Sequence, residues 1–420
     1  MKKFQHTAFY IGHKGDKDLL ITAIQDVSDF GFTLKELRGE IFSNTVLEHF
    51  IEEEMRHDNF EIVAGNNNIL ANSSSGEQRK ALLSYLIQKK PAYLIIDGLF
   101  ESIDKDSRLS ILATLKEISA DTLIIQILNR QNELLPFIEN IYFINGDLVN
   151  TKYNPQEFFE QVNLTAPDCF AKAIPLLIVN YPPQKDPLIE MKHVCVHYDD
   201  RPVLQNISWK INSGEFWQLT GPNGSGKSTL LSLITGNSAK GYGQDLVLFG
   251  HRRGTGESVW DIKEKIGYFS PAMTMQFERQ DSIEQMVISG FYDSVGLYIK
   301  PTDRQAQIAR EWLSLMGFYK DKDKPFRLYP AGRQRMILIA RAMVKHPPLL
   351  ILDEPTAGLD DEMAALFVSL VNKIAKETNS AIVYVSHREE PGLTPAMIFE
   401  LSPHENGSRG LIRKQNLTGI

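Results

Sequence analysis

At 420 residues, the chain holds about two to three domains of roughly 150 residues each. Its 43% hydrophobic and 23% charged content is that of a globular protein and excludes a disordered or fibrous one. Lys and Arg total 45 against 52 Asp and Glu, a formal net charge of −7, which gives no support to a broad surface for nucleic-acid backbone or anionic lipid.

The first half opens with Met1-Lys2-Lys3 and a short apolar stretch that ends at His13-Lys14, too soon for a signal peptide. No uncharged run reaches the roughly 18 residues of a membrane helix. Cys169 and Cys195 make neither a metal spacing nor a disulfide framework, so a reducing, cytoplasmic setting is expected. Tyr93 to Ile96 and Thr122 to Leu128 are predicted strands. Pro175 and the run Asn180-Tyr181-Pro182-Pro183-Gln184-Lys185-Asp186-Pro187 then read as an extended linker, because proline so dense continues neither a helix nor a central strand. Beyond it, Leu188 to Val194, Val203 to Ile211 and Glu215 to Thr220 are predicted strands, and a helix is expected to open at Gly226. Leu349 to Leu352 and Ala381 to Val385 have the short apolar form of buried parallel strands. Strands alternating with helices predict an α/β fold.

The two halves repeat. Gly76 and Gly332, Arg79 and Arg335, Pro91 and Pro347, Asp97 and Asp353, and Asp104 and Asp360 are all 256 positions apart. Such agreement indicates an internal duplication. The expected division is residues 1–165, a first copy; 166–187, a linker; and 188–420, a second and complete copy.

The second copy carries the chemistry. Gly221-Pro222-Asn223-Gly224-Ser225-Gly226-Lys227-Ser228-Thr229 fits the phosphate-binding loop G-x-x-x-x-G-K-[ST], between a predicted strand and a predicted helix. Its glycines let backbone N–H groups curl around a β-phosphate, and the helix turns its positive end to the anion. Lys227 supplies a point charge to the β and γ oxygens, and the Ser228 hydroxyl is a ligand for Mg²⁺. Asp353, at the end of a buried strand, is placed to hold the Mg²⁺ hydration shell, and Glu354 to act as general base toward water. Without the phosphate loop the same pair would read as a helix cap or an acidic turn.

Together with Tyr198, Gly358-Leu359-Asp360 and Ser386-His387, these motifs follow the order and spacing of the ATP-binding-cassette (ABC) ATPases, which the chain resembles over nearly all of the region after the linker. The resemblance implies two P-loop NTPase domains, the first truncated and degenerate, and ATP hydrolysis with Mg²⁺. It implies that Tyr198 stacks on adenine, that Asp360 belongs to a loop crossing the dimer interface, and that His387 contacts the γ-phosphate. Residues Gly250–Lys263, including Arg252-Arg253, and Ser289–Tyr298 further resemble the tandem ModF or photorepair type associated with molybdate transport. The Arg252-Arg253 pair has an equally good reading as a solvated loop. A family glutamine that contacts the metal site and moves with membrane domains is replaced by Ser270-Pro271, which puts coupling to a permease in doubt.

The first copy lacks the loop: Gly12-His13-Lys14-Gly15-Asp16-Lys17 has the wrong spacing. Gly98 stands in place of Glu354, and Asn129 in place of His387. Yet Ser74-Ser75-Gly76-Glu77-Gln78 matches the family signature L-S-G-G-Q, which in the second copy has become Tyr329-Pro330-Ala331-Gly332-Arg333. Proline has neither N–H nor hydroxyl to give a phosphate. In head-to-tail pairing, the intact loop of one copy faces the intact signature of the other, which predicts a single composite ATP site. Three functions compete: an ATPase with a non-membrane output, the ATP-binding subunit of a molybdate-type importer with a permease partner at the inner face of the membrane, and an ATP-gated regulatory module. Glu354 and His387 favour an enzyme over a clamp. Nucleic acid is not an expected partner.

Overall fold

The computed structural model describes residues 4–12, 17–26, 34–57, 60–62, 69–73, 75–100, 103, 105–145, 148–161, 170–176, 185–277, 280–386 and 390–414. They form two compact units: residues 1–165 with Gly358–Ala364, and residues 166–357 with 365–420.

The first unit contains β1 (Thr7–Ile11), α1 (Lys17–Asp26), β2 (Gly39–Phe42), α2 (Asn44–His57), α3 (Ser75–Gln88), β3 (Tyr93–Asp97), α4 (Lys105–Ile118), β4 (Leu123–Leu128), β5 (Asn140–Asn145), β6 (Leu148–Tyr153) and α5 (Pro155–Gln161). The strands make one sheet in the order β2-β3-β4-β1-β5-β6, parallel throughout except for the β5–β6 pair. Its strands are apolar on both faces, as parallel strands covered on two sides must be. Ala8, Tyr10, Leu94 and Ile96 enter one core, while Phe9, Ile11, Tyr93 and Ile95 enter the other.

The second unit contains β7 (Ile189–Tyr198), β8 (Arg201–Ile211), β9 (Phe216–Thr220), α6 (Lys227–Ile234), β10 (Asp245–Leu248), β11 (His251–Arg252), α7 (Val259–Lys263), β12 (Ile266–Phe269), α8 (Met273–Gln276), α9 (Ile283–Ser289), α10 (Asp303–Leu315), α11 (Ala331–Met343), β13 (Leu349–Asp353), α12 (Asp361–Glu377, whose first turn counts with the first unit), β14 (Ala381–Val385), β15 (Met397–Ser402) and β16 (Arg409–Lys414). Its main sheet, β12-β13-β14-β9-β15-β16, repeats the first sheet strand for strand, again with only the last pair antiparallel. A second, antiparallel sheet, β11-β10-β7-β8, has no counterpart among the described residues of the first unit.

The predicted strands are present, with small shifts at their ends. β7 runs on to Tyr198, and β4 opens at Leu123 because the Thr122 backbone N–H is given to the Ile118 carbonyl at 2.9 Å. The helix expected at Gly226 opens at Lys227; Gly226 is its cap, in the left-handed region at φ 93°. Arg253 departs from the solvated-loop reading. It is buried in an ion pair with Glu257 at 3.0 Å, donates to the Gly236 carbonyl and lies over the Tyr242 ring, whereas Arg252 is exposed.

Candidate active site

The phosphate-type loop leaves the carboxyl end of β9, in the middle of the parallel sheet, where open α/β sheets bind ligands. Two glycines leave no room for a side chain. A Cβ on Gly221, at φ 148°, would lie 2.7 Å from the Leu401 carbonyl oxygen, and one on Gly226 would lie 2.7 Å from Leu204. Leu230, Leu231, Leu233 and Ile234 seat α6 in the core and so fix the loop from its far side. The Lys227 ammonium folds back over the loop and donates to the Gly221 and Pro222 carbonyls at 2.7 and 3.0 Å. The Ser225 hydroxyl is fully buried with no hydrogen-bond partner among the described residues.

Ser228 and Asp353 line one cavity of about 350 Å³, with Tyr268, Gln276, Asp293 and Arg341. The Tyr268 hydroxyl donates to Asp353 at 3.2 Å. Burial pushes the Asp353 carboxyl above its ordinary range and the neighbouring Glu354 adds to this, while the Tyr268 hydrogen bond and Lys227 oppose it. A buried carboxyl group beside a serine hydroxyl offers hard oxygen donors of the kind Mg²⁺ takes alongside water and phosphate oxygens.

Glu354 has φ 46°, a left-handed conformation that side-chain-bearing residues rarely adopt. Its N–H donates to the Val385 carbonyl at 2.9 Å. Below it, Arg335 donates to the Pro355 carbonyl at 3.1 Å and to that of Ala357, and the Thr356 hydroxyl donates to Glu390 at 2.5 Å. Ser386 is buried and its N–H donates to the Leu219 carbonyl at 3.2 Å. Tyr198 ends β7, is 43% exposed, and has the Lys240 ammonium 5.7 Å from its ring centre. His387 and Ser74 lie outside the described residues, as does the Ser75 side chain; Gly76 is buried in the first turn of α3 and Glu77 is exposed there. Pro330 is the residue before α11, with Ala331 at the place of Ser75.

The first unit retains the frame of this site. Arg79, the counterpart of Arg335, donates to the Gly98 carbonyl and to Asn44 at 2.5 Å. Gly98, the counterpart of Glu354, is left-handed as well, at φ 64°. Six positions after Ile11 comes Lys17, as Lys227 comes six after Gly221, and each lysine opens the helix following its strand. Lys17 pairs with Asp97 at 2.6 Å instead of folding over a loop. Counting from glycine hides this equivalence; the sheet register brings it out, since Phe9 pairs with Ile127 beside Asp97 as Leu219 pairs with Val385 beside Asp353. The sequence also left the Ser289–Tyr298 segment unexplained. Arg341 holds it through the Ser289 hydroxyl and the Ser294 carbonyl, both at 3.0 Å, and Lys345 pairs with Asp293 at 2.5 Å.

Residues 204–357 match the ABC transporter family model. The chain is 38% identical over 329 residues to the ABC transporter ATP-binding protein ModF of Escherichia coli (strain K12), covering 76% of this chain and 67% of that protein. It is 30% identical to an uncharacterized ABC transporter ATP-binding protein of Schizosaccharomyces pombe, covering 80% and 69%. Among solved structures, the archaeal ribosome recycling factor aABCE1, in complex with the ribosomal stalk protein aP1, shares the fold: TM-score 0.64 at 12% identity, over 98% of this chain and 86% of that one.

Proposed function

The chain belongs to the ABC ATP-binding proteins, a family of ATPases, and from that premise we propose that it hydrolyses MgATP at a single composite site. The observation that carries the reading is the backbone of Glu354. Its counterpart, Gly98, takes the left-handed conformation without strain, yet the second unit keeps a glutamate there. An L-residue in this conformation costs about 1–2 kcal/mol. Strain of this kind accumulates where function requires the side chain.

In the proposed reaction the loop amides and the Lys227 ammonium bind the β- and γ-phosphates, and the lysine exchanges its two carbonyl partners for phosphate oxygens. Ser228 and Asp353 hold Mg²⁺, which neutralises charge on the phosphate oxygens when bound. The Glu354 carboxylate accepts the proton of the attacking water, and His387 contacts the γ-phosphate. Tyr198 stacks on the adenine. Ser74 to Glu77 of the signature loop close the site from the facing half. The sorting of motifs supports this pairing, since the half that kept the phosphate loop lost its signature to Pro330, and the half that kept the signature has Lys17 committed to Asp97.

Among the described residues no helix is long and apolar enough to cross a membrane. We place the protein in the cytoplasm. A second reading, the ATP-binding subunit of an importer for molybdate or a similar solute with a permease partner, draws on the likeness to ModF. Ser270-Pro271 counts against it.

Glu354→Gln should retain ATP binding and lose about 10²–10⁴-fold in turnover, the usual worth of a positioned base. Phosphate release beside a fluorescent-nucleotide titration measures both. A variant that hydrolyses at the native rate removes Glu354 from the mechanism.

A further inference from the structure

The cavity lined by Ser228 and Asp353 has one polar group to which the reaction above gives no part, the hydroxyl of Tyr268 on β12. β12 runs parallel to β13, with Tyr268 opposite Ile351 and Phe269 opposite Leu352. Side chains alternate along a strand, so Tyr268 lies on the face of the sheet that carries Ile351 and Asp353. Its ring packs against the core that Ile351 enters, and its hydroxyl reaches past that core to donate to Asp353 Oδ2 at 3.2 Å. The strand beneath it is held firmly. Ile266 and Phe269 are buried, and the Phe269 ring meets that of Phe367 at a centroid distance of 6.0 Å. Among the described residues no hydrogen bond reaches the other carboxyl oxygen, Asp353 Oδ1.

The last torsion of an aspartate is soft, and the carboxyl group turns about it with little preference among angles. A hydrogen bond to one oxygen settles that angle and thereby gives the second oxygen a fixed direction. We propose that Tyr268 is a positioning residue for Mg²⁺: its hydroxyl holds Oδ2 of Asp353 so that the carboxylate meets the ion in one orientation. The proposal rests on the ATPase reading above. Outer partners of this kind orient metal-site carboxylates, and their loss typically costs about 10–100-fold in metal affinity or activity. The nucleotide's own contacts, at Lys227 and the loop amides, do not pass through Tyr268. A positioning role therefore shows itself as a raised requirement for metal, with nucleotide binding unchanged when metal is withheld. A hydroxyl that served only to satisfy a buried carboxyl group would alter stability and leave the metal requirement as it is.

Tyr268→Phe removes the hydroxyl and keeps the ring in the core. Three measurements on the full chain test it. They are fluorescent-nucleotide affinity in EDTA, Mn²⁺ held by the complex with a non-hydrolysable ATP analogue, and the Mg²⁺ concentration for half-maximal hydrolysis. Bound Mn²⁺ is read from its paramagnetic resonance, with the analogue alone as blank. Tyr268→Phe should hold Mn²⁺ about 10-fold or more weakly and need correspondingly more Mg²⁺, with affinity in EDTA within about twofold of native. Tyr292→Phe takes the same atom from a hydrogen bond to Gln305 at 2.9 Å and should be native in all three. In an Asp353→Ala background, Tyr268→Phe should weaken Mn²⁺ binding no further. Native Mn²⁺ affinity in Tyr268→Phe overturns the proposal, as does an equal loss in Tyr292→Phe. Tighter Mn²⁺ binding in Tyr268→Phe overturns it too, because the hydroxyl would then compete with the metal for Asp353. Mn²⁺ binding needs no hydrolysis, so the two ideas fail separately. If Glu354→Gln turns over at the native rate while Tyr268→Phe binds Mn²⁺ weakly, only the role of the base falls. If Glu354→Gln is inactive while Tyr268→Phe holds Mn²⁺ as native protein does, only the positioning role falls.

Discussion

Lys227 and Lys17 occupy equivalent places in the two sheets, and replacing each by alanine should have opposite consequences. Lys227 donates to two backbone carbonyls at 2.7 and 3.0 Å, and such contacts are readily exchanged for phosphate oxygens of full negative charge. A hydrogen bond to a charged group contributes about 1.5–3 kcal/mol, and 1.4 kcal/mol is tenfold in affinity, so Lys227→Ala should weaken ATP binding by about 10–150-fold. Turnover should be lost with it, because the lysine also neutralises the charge that develops at the leaving β-phosphate oxygen during transfer. Lys17 is already paired with Asp97 at 2.6 Å, with side-chain exposures of 35% and 16%. Lys17→Ala therefore gives up a partly solvated ion pair worth at most about 1 kcal/mol of stability, and should leave affinity and turnover within about twofold of native. Equilibrium dialysis with labelled ATP and phosphate release measure both variants, and native protein should bind one nucleotide per chain. Strong hydrolysis in Lys227→Ala, or a second nucleotide lost in Lys17→Ala, would refute the assignment of the site to the second unit.

Asp353→Asn should stabilise the nucleotide-free protein while ending Mg²⁺-dependent turnover. The native carboxyl is pushed above its ordinary value of 3.8, so the folded state holds the proton more tightly than the unfolded one and stability falls as pH rises past that value. The variant should be the more stable at pH 7, with the gap closing below about pH 4; a native protein more stable than Asp353→Asn at pH 7 contradicts this. For the pairing of halves, Ser74→Arg should abolish turnover and spare nucleotide affinity, whereas Pro330→Arg should be tolerated, and the reverse pattern in ATPase assays would exclude the composite site.

Much of this architecture was legible because its signals are local. Leu349 to Leu352 and Ala381 to Val385 are short apolar runs of the kind a doubly covered parallel strand has, and the spacing of Gly221 to Thr229 has few uses other than binding phosphate. The repeat at 256 positions carries over into the structure: α3 and α11 open at Ser75 and Ala331, and β3 and β13 span Tyr93–Asp97 and Leu349–Asp353. What escaped the sequence depends on distant partners. Nothing near Arg253 says that it meets Glu257 in the interior while Arg252 does not. Nothing near Arg130 points to Leu359, more than two hundred positions away. The ion pair of Lys17 was hidden because the motif is defined by the spacing of its glycines, and Gly12 and Gly15 before Lys17 do not keep that spacing.

The two copies differ less in fold than in what occupies a shared set of positions. Arginine holds the loop after the third strand in both, through Arg79 and Arg335, so that contact serves the fold itself. The next position is left-handed in both, and there the copies part: Gly98 relaxes into the conformation and Glu354 is strained in it. Had the second copy been free to drift, replacement of Glu354 by glycine would have relieved about 1 kcal/mol or more without disturbing Arg335 or β13. On the proposed reading, the carboxylate stays there for its role toward the attacking water. The first copy, relieved of that role, has kept the sheet order, Arg79 and Asp97, which a scaffold needs, and has Tyr10 and Arg130 turned toward Asp361 and Leu359.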